Sequence, residues 1–311
     1  MTDAIKHITI GVADLDDALK LWIGRFGLDV IARQTGPDPG LGILWDIPAD
    51  RIVDQALVRT PGAGTGWLHL VQFDRPDPPV RRDAATIDLG PKSLDVHCRD
   101  MPARCAELES DGFRFRAPIS EYEVGDLRAR EAQMPGHDDT NVVLIEVFGW
   151  DVRLSDSGYG AVTSFVVIVP DAKVESAFYA ELFDLDELMH HRITGPAIEQ
   201  AVGLPKGSTL IMRLMGRETE IFGRMELVQY EGLAGTDRFP LAKAPALGTL
   251  HCRFQVDSLE AFVKRAGQAG AAVRHYGLIQ TIFGSGYAAA VYSPAGLRVE
   301  VFEPSVDGKE R

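Results

Sequence analysis

Cysteine is scarce in this chain, and its spacing does not suit a disulfide framework or a thiolate zinc site. The 311 residues include three cysteines, Cys98, Cys105 and Cys252, and no two of them form a CxxC pair. We expect all three to be buried, reduced packing residues. The sequence also lacks an apolar run near the ~18 residues that a membrane-spanning helix needs, and its first residues do not resemble a signal peptide. A cytoplasmic protein without a membrane partner is therefore expected.

Positive charge is also in short supply. The chain has 32 Lys and Arg residues against 45 Asp and Glu, a formal net charge of -13. A negative surface repels nucleic acid phosphates, so no nucleic acid partner is expected. The 45% hydrophobic and 25% charged residues are typical of globular proteins. At ~100 to 200 residues per domain, the length predicts two domains that fold without a structural metal.

The sequence repeats itself at a spacing of 157 residues. Residues 7–14 form a short apolar strand that ends in an Asp typical of a helix start, and residues 164–171 have the same pattern. The apolar segments 68–73 and 225–230 also correspond, since 226 − 69 is 157. Two segments at one offset indicate a duplication.

A second type of unit follows each of these. Residues 93–98 and 251–257 each lead into a helical stretch, and the strands 143–148 and 297–302 close the two units, with Glu146 and Glu300 at an offset of 154. The chain is thus predicted to be an α+β protein of four β-α-β-β-β modules, near residues 4–75, 90–150, 160–232 and 247–304. These group into domains 1–152 and 160–306, with polar linkers at 74–91 and 153–160.

These patterns together resemble the vicinal oxygen chelate superfamily, which includes glyoxalases, bleomycin resistance proteins and extradiol dioxygenases. The resemblance is carried by the His that begins the first strand, the Val-x-Asp-Leu sequence at residues 12–15, the Gly27-Leu28 turn, and a last strand with one acid between aliphatic residues. It recurs four times along the chain. It implies that two modules close into a curved mixed sheet, whose first and last strands point side chains at one divalent metal.

The resemblance also implies which residues occupy the metal positions. The first strands contribute His7, Ser93 or Asp95, Ser164 and His251, and the last strands contribute His69, Glu146, Glu226 and Glu300. If module 1 pairs with module 4 and module 2 with module 3, one site collects His7, His69, His251 and Glu300. If neighbouring modules pair, two partial sites result. We prefer the first arrangement because it gives one complete site.

For the complete site, the resemblance implies His7, His251 and Glu300 as metal ligands and His69 as an acid or base, or as a fourth ligand. An acid buried between aliphatic residues, as Glu300 is expected to be, is costly unless it is paired or ligates a metal. An alternative metal site would use Asp95, Glu146 and Glu226. Fe(II) is the favoured ion because dioxygen needs a redox-active metal, while Zn, Ni, Mn or Co would fit other chemistry.

Three functions are consistent with these residues. The first is an Fe(II) extradiol-type dioxygenase that cleaves a phenolic or dihydroxylated aromatic ring. The family's catalytic Tyr position is Ala290 here, so Tyr287 or Tyr292 would have to substitute for it. The second is a glyoxalase-type lyase or isomerase, with His69 as fourth ligand. The third is a metal-free protein that binds a small molecule, as a resistance protein does.

All three functions predict a small-molecule partner, which we expect to be aromatic, and leave a homo-oligomer open. Trp45 and Phe283 are candidates for the wall of an aromatic pocket.

Overall fold

Sixteen strands in the described part of the chain form two mixed sheets of eight strands each. The structure, a computed structural model, describes residues 4–124, 127–149, 152 and 154–305. The first sheet contains β1 (His7–Val12), β2 (Asp29–Thr35), β3 (Ile52–Arg59), β4 (Trp67–Phe73), β13 (Gly248–Gln255), β14 (Val273–Thr281), β15 (Gly284–Tyr292) and β16 (Arg298–Pro304). The second contains β5 (Gly90–Cys98), β6 (Ser120–Val124), β7 (Leu127–Pro135), β8 (Asn141–Val147), β9 (Tyr159–Ile168), β10 (Asp186–Thr194), β11 (Thr209–Arg217) and β12 (Glu220–Tyr230).

The centre of each sheet is an antiparallel contact between the first strands of two modules. In the first sheet β1 pairs with β13, and each runs parallel to the last strand of its own module, β4 or β16. In the second sheet β5 pairs with β9 in the same way, flanked by β8 and β12. Module 1 therefore pairs with module 4, and module 2 with module 3, as the sequence analysis preferred. Each of the segments 1–152 and 160–306 contributes one module to each sheet.

Short helices cover the sheets: one connects the first and second strands of each module, and in modules 1 and 3 another connects the second and third strands. They are α1 (Leu15–Leu19), which continues as a π-helical turn (Lys20–Arg25), α2 (Pro39–Trp45), α3 (Met101–Ser110), α4 (Ala172–Phe183), α5 (Pro196–Val202) and α6 (Leu259–Gln268). Aspartate or serine caps begin most of them, for example Asp14 at α1, Asp171 at α4 and Ser258 at α6. Within the described ranges, every helix is too short or too polar to cross a membrane.

The main core lies between these helices and the sheets. Its buried aromatic residues include Trp22, Phe165, Phe183 and Phe254, all at 0% exposure. Cys98, Cys105 and Cys252 are buried and unpaired with one another, as expected. The opposite face of the first sheet carries a second cluster, in which Trp45, Phe73 and Phe302 pack around the candidate site.

Candidate functional site

The structure brings His7, His69, His251 and Glu300 together on one face of the first sheet. Strand register explains the convergence. Thr9 on β1 lies beside His69 on one side and beside His251 on the other. One row further along, His7 lies beside Arg253, and Arg253 lies beside Glu300. Since side chains on a strand alternate between faces, residues two apart share a face, and all four predicted residues are at most 2% exposed.

Glu300 is the centre of a dense hydrogen-bond network. Its Oε2 accepts hydrogen bonds from the Nε and an Nη atom of Arg253, at 3.0 and 2.6 Å. Its Oε1 accepts from the indole nitrogen of Trp45 at 2.9 Å and from Nε of Arg298 at 3.2 Å. The two oxygens of a carboxylate offer about four lone pairs. These four donors therefore use the whole acceptor capacity of Glu300.

The charged groups in direct contact here are the carboxylate of Glu300 and the guanidinium groups of Arg253 and Arg298. Burial raises the pKa of a carboxyl, but the facing His251, Arg253 and Arg298 outweigh burial and hold the pKa of Glu300 far below its ordinary value. Burial lowers the pKa of His251 to about 4, opposed by Glu300 and assisted by the arginines. Burial likewise lowers the pKa of His7 and His69 well below the ordinary value. With neutral histidines, the two guanidinium groups that contact Glu300 exceed its one carboxylate, and the buried carboxyl group of Asp38 also acts on Arg253 from beyond this contact.

His69 is oriented by a chain of buried polar groups. Its Nε2 lies 2.8 Å from Oε1 of Gln55, whose amide nitrogen donates to Asp38 at 2.9 Å. Because the amide nitrogen of Gln55 donates to Asp38, the amide directs its oxygen toward His69. His69 therefore carries its proton on Nε2, and its bare Nδ1 has no hydrogen-bond partner in the described part of the chain.

This donor set does not fit a metal centre in its present arrangement. Within the described residues, no three His, Cys, Asp or Glu side chains are placed to hold one ion. Glu300 Oε1 lies 3.3 Å from Nε2 of His251, but its lone pairs are taken, and two guanidinium groups adjoin it. A divalent cation would have to displace Trp45 or an arginine and would meet the repulsion of both guanidinium charges.

A cavity of about 300 Å³ opens beside this network. His7, Arg253 and Phe283 form part of its wall, with Trp67 and Phe302. The His7 ring stacks on Phe283 at 4.2 Å between centroids, and the Arg253 guanidinium lies 4.2 Å over the same ring. The prediction that Phe283 lines an aromatic pocket agrees with this position, whereas Trp45 lies behind the cavity as a hydrogen-bond donor to Glu300.

Two polar atoms of this wall have no hydrogen-bond partner in the described part of the chain. They are Nε2 of His7 and one Nη of Arg253, in side chains that are both 2% exposed. A buried donor without a partner is costly, so a ligand with an acceptor oxygen would stabilise this wall.

The structure does not bring Tyr287 or Tyr292 into the site. Tyr287 packs against the main core, on the opposite face of β15 from Ala288 and the Trp45 cluster. Tyr292 pairs with Arg298 at the end of β15 and is 55% exposed. Neither tyrosine reaches the histidines. Neither therefore takes the role of the catalytic tyrosine whose position is Ala290 in this chain.

Glu146 is also outside any such site, because the predicted offset of 154 was wrong for its strand. In all four modules a polar side chain of the last strand accepts a hydrogen bond from the start of the module's helix: Gln72 from Leu15, Glu146 from Asp100, Gln229 from Ala172 and Glu303 from Leu259. Glu146 thus corresponds to Glu303 at the common offset of 157, and Val143 corresponds to Glu300. A three-residue difference reverses the face of a strand residue.

We expect Glu146→Gln to weaken the start of α3 and the contact of Glu146 with Arg130, without affecting the first sheet. Glu146 accepts the backbone N–H of Asp100 at 2.7 Å, so weakening this contact should cost about 1 kcal/mol of the free energy of unfolding. Denaturant unfolding measures this cost, and ligand binding to the first sheet should stay unchanged. Altered binding in this variant would contradict the assignment of Glu146 as a helix cap.

Sequence reasoning missed Arg253, Arg298 and Gln55, and it expected Trp45 in the pocket wall rather than as a donor to Glu300. For the two arginines a signal existed. Arg253 stands two residues after His251 and Arg298 two residues before Glu300, so strand alternation already places them on the same face. Gln55 and the hydrogen bond of Trp45 to Glu300 depend on contacts between separate elements, and the sequence gave no signal for them.

Comparison with known proteins supports the fold. The sequence of residues 6–129 matches the family model of the Glyoxalase/Bleomycin resistance protein/Dioxygenase superfamily. The structure is similar to glyoxalase I from Zea mays, with a TM-score of 0.64 at 15% identity over 97% of this chain and 92% of that one. It is also similar to a putative dioxygenase from Bacillus subtilis subsp. subtilis str. 168, with a TM-score of 0.63 at 10% identity over 98% and 86%. No curated protein matches the sequence.

Proposed function

Residues 6–129 match the family model of the Glyoxalase/Bleomycin resistance protein/Dioxygenase superfamily and the described chain has a glyoxalase-like fold, and on this basis we propose that its first sheet binds a small aromatic acid without a metal ion. The observation that carries this proposal is the saturation of Glu300 by two arginines and a tryptophan. The guanidinium of Arg253 supplies the positive charge beside Glu300 that a metal ion supplies in metal-dependent members.

The charge of the site selects an anionic partner. Two guanidinium groups face one carboxylate, and the buried histidines stay neutral at pH 7. Arg253 still has a free donor at the cavity wall. A carboxylate or phenolate oxygen would accept this hydrogen bond, and a charged acceptor makes such a bond stronger.

The wall of the cavity selects an aromatic body. Phe283, Trp67 and Phe302 contribute aromatic surface, and Leu57 and Ile31 contribute aliphatic surface. The volume of about 300 Å³ is in the range of small-molecule pockets. A single ring with one acidic group, such as benzoate, is the simplest molecule with these properties.

The direct test is equilibrium binding of benzoate and of benzyl alcohol, its uncharged counterpart. We expect benzoate to bind more tightly, and Arg253→Met to weaken benzoate binding by about 10- to 100-fold, the value of a hydrogen bond to a charged group. Titration calorimetry at pH 7.5 measures both ligands. Arg274→Met is the matched control, since Arg274 is exposed on β14 outside the cavity.

Phe283→Ala keeps the test usable if Arg253→Met unfolds. It removes the ring under the guanidinium but leaves Glu300 and its donors in place. It should weaken the binding of both benzoate and benzyl alcohol. Equal affinities for benzoate and benzyl alcohol, or an Arg253→Met protein that binds benzoate as the native chain does, would refute the proposal.

A metal-dependent enzyme is the second candidate. The observation that favours it is the set of buried histidine nitrogens without partners in the described residues: Nε2 of His7, Nδ1 of His69 and both ring nitrogens of His251. An Fe(II) ring-cleaving dioxygenase would need a redox-active ion at these nitrogens, and a glyoxalase-type lyase would need Zn, Ni, Mn or Co. In the dioxygenase the chain's own contribution would be His69, whose bare Nδ1 is held in place to take a proton, whereas in the lyase His69 would be the fourth ligand.

Elemental analysis separates this candidate from the first. Protein purified without chelators should contain no stoichiometric metal if the first proposal holds. Near-stoichiometric iron that is lost in His251→Ala and kept in Glu146→Ala, with oxygen uptake on catechols, would establish the dioxygenase instead. Another metal with the same dependence would favour the lyase.

A further inference from the structure

The second sheet contains a site with the opposite charge at corresponding positions. Asp95 on β5 lies beside Val143 as Arg253 lies beside Glu300, so Asp95 stands where the first sheet has Arg253. Glu226 on β12 corresponds in the same way to His69. A cation in one sheet is thus replaced by an anion in the other.

Two adjoining cavities share Asp95 and Glu226 in their walls, with volumes of about 80 and 140 Å³. A dry cavity of about 150 Å³ is known to hold a benzene ring. Glu131 lines the smaller cavity and accepts hydrogen bonds from Tyr122 and Gln133. The remaining wall is largely aliphatic and includes Ile145, Val166, Ile193, Leu210, Met212 and Val228.

The three carboxyl groups exceed the cationic groups around them. Lys92 is one cation in the smaller cavity, and its ammonium donates to the hydroxyl of Tyr230 at 2.9 Å. Arg224 lies at the wall of the larger cavity. Burial first, then the acids facing one another, raises the pKa of Asp95 and of Glu226. Lys92 opposes this rise without cancelling it, so the three acids have fewer cationic partners than a full balance of charge requires.

A separate observation also points to a ligand. Ser93, on the wall of the smaller cavity, is 1% exposed, and its Oγ has no hydrogen-bond partner among the residues that the structure describes. Ser93 occupies the position that corresponds to His251 in the first sheet. A ligand with an N–H group would satisfy this hydroxyl oxygen, whose burial is otherwise costly.

We infer that the second sheet binds a small organic amine, with its ammonium group between Asp95 and Glu226 and its apolar body against the aliphatic wall. The aliphatic wall distinguishes this ligand from a hydrated inorganic cation, which needs oxygen atoms on most sides. This inference does not depend on the function proposed for the first sheet. The two sites would take ligands of opposite charge.

The test is calorimetric binding of benzylamine and of benzyl alcohol to the full chain at pH 7.5. Benzylamine should bind, and benzyl alcohol should bind at least about tenfold more weakly. This is the difference in affinity expected for a charge-assisted hydrogen bond. Glu226→Gln should weaken benzylamine binding by a similar factor. Glu231→Gln is the matched control, because Glu231 follows the same strand but pairs with Arg192 outside both cavities.

Met212→Trp provides a second variant that keeps every acid and fills the space, and it should abolish amine binding while leaving benzoate binding unchanged. Equal binding of the amine and the alcohol, or unchanged amine binding in Glu226→Gln, would overturn the inference. The inference would also be overturned if the protein bound Mn²⁺ in a way that depends on Glu226 but did not bind benzylamine, since the acids would then form a metal site.

Discussion

Glu300→Gln should destabilise the protein by about 3 to 5 kcal/mol, the cost of leaving a buried charge without its partner. Arg253 is 2% exposed and Arg298 is 9% exposed, and both donate to the Glu300 carboxylate. The amide of Gln keeps the shape but offers neither the negative charge nor the second acceptor oxygen. Denaturant unfolding at pH 7.5 measures the loss.

The double variant Glu300→Gln with Arg253→Met should recover a large part of this stability. It removes one guanidinium together with the carboxylate, and Met fills the space beneath Phe283 with an apolar side chain. Such recovery is specific to charge balance, because two independent core defects would instead add. If the Glu300→Gln protein were as stable as the native one, Glu300 would not be the partner that holds the arginines. Glu300 would then again be a candidate metal ligand.

Substitutions of His251 and Glu226 should change the pH dependence of stability in opposite directions. Burial lowers the pKa of His251 to about 4, against an unfolded value of about 6.5. Below pH 6.5 His251 is protonated in the unfolded chain but still neutral in the folded chain. The native protein therefore loses stability as the pH falls. When the pH falls from 8 to 4, the free energy of unfolding of His251→Gln should therefore rise by about 3 kcal/mol relative to that of the native protein.

Glu226 behaves in the reverse sense. Burial, followed by repulsion from Glu131, raises its pKa to about 7, so the folded chain holds a proton that the unfolded chain releases above pH 4.5. Glu226→Gln should therefore gain stability relative to the native protein as the pH rises from 4.5 to 8. Unfolding curves at several pH values measure both differences, with His275→Gln on exposed β14 as the control. Parallel profiles for all three variants would contradict the buried positions of His251 and Glu226.

Much of the fold followed from the sequence. The offset of 157 between residues 7 and 164, and between 69 and 226, predicted the duplication, and the α+β fold of two curved eight-stranded sheets confirms it. Apolar alternation identified β1, β4, β13 and β16, since strand residues reveal their face by a period of two. The convergence of His7, His69, His251 and Glu300 followed from strand position and the preferred pairing.

The error at Glu146 shows where sequence comparison fails. An acid between aliphatic residues looked equivalent to Glu300, but at the common offset of 157 Glu146 corresponds to Glu303, a second acid on the same strand. A three-residue misalignment changed the face on which Glu146 was expected. Only the hydrogen bond from Asp100 reveals that it caps α3, as Glu303 caps α6.

The sequence by itself determined the four modules, their strands and the inward face of the first sheet, because these depend on local periodicity and on a repeat that can be counted. Tertiary structure alone decided which modules pair and what Glu300 contacts. Either pairing buries the same strand edges, and Trp45 reaches Glu300 from 255 residues away in the chain. Whether a buried acid ligates a metal or pairs with an arginine depends on its neighbours in space, which local sequence does not specify.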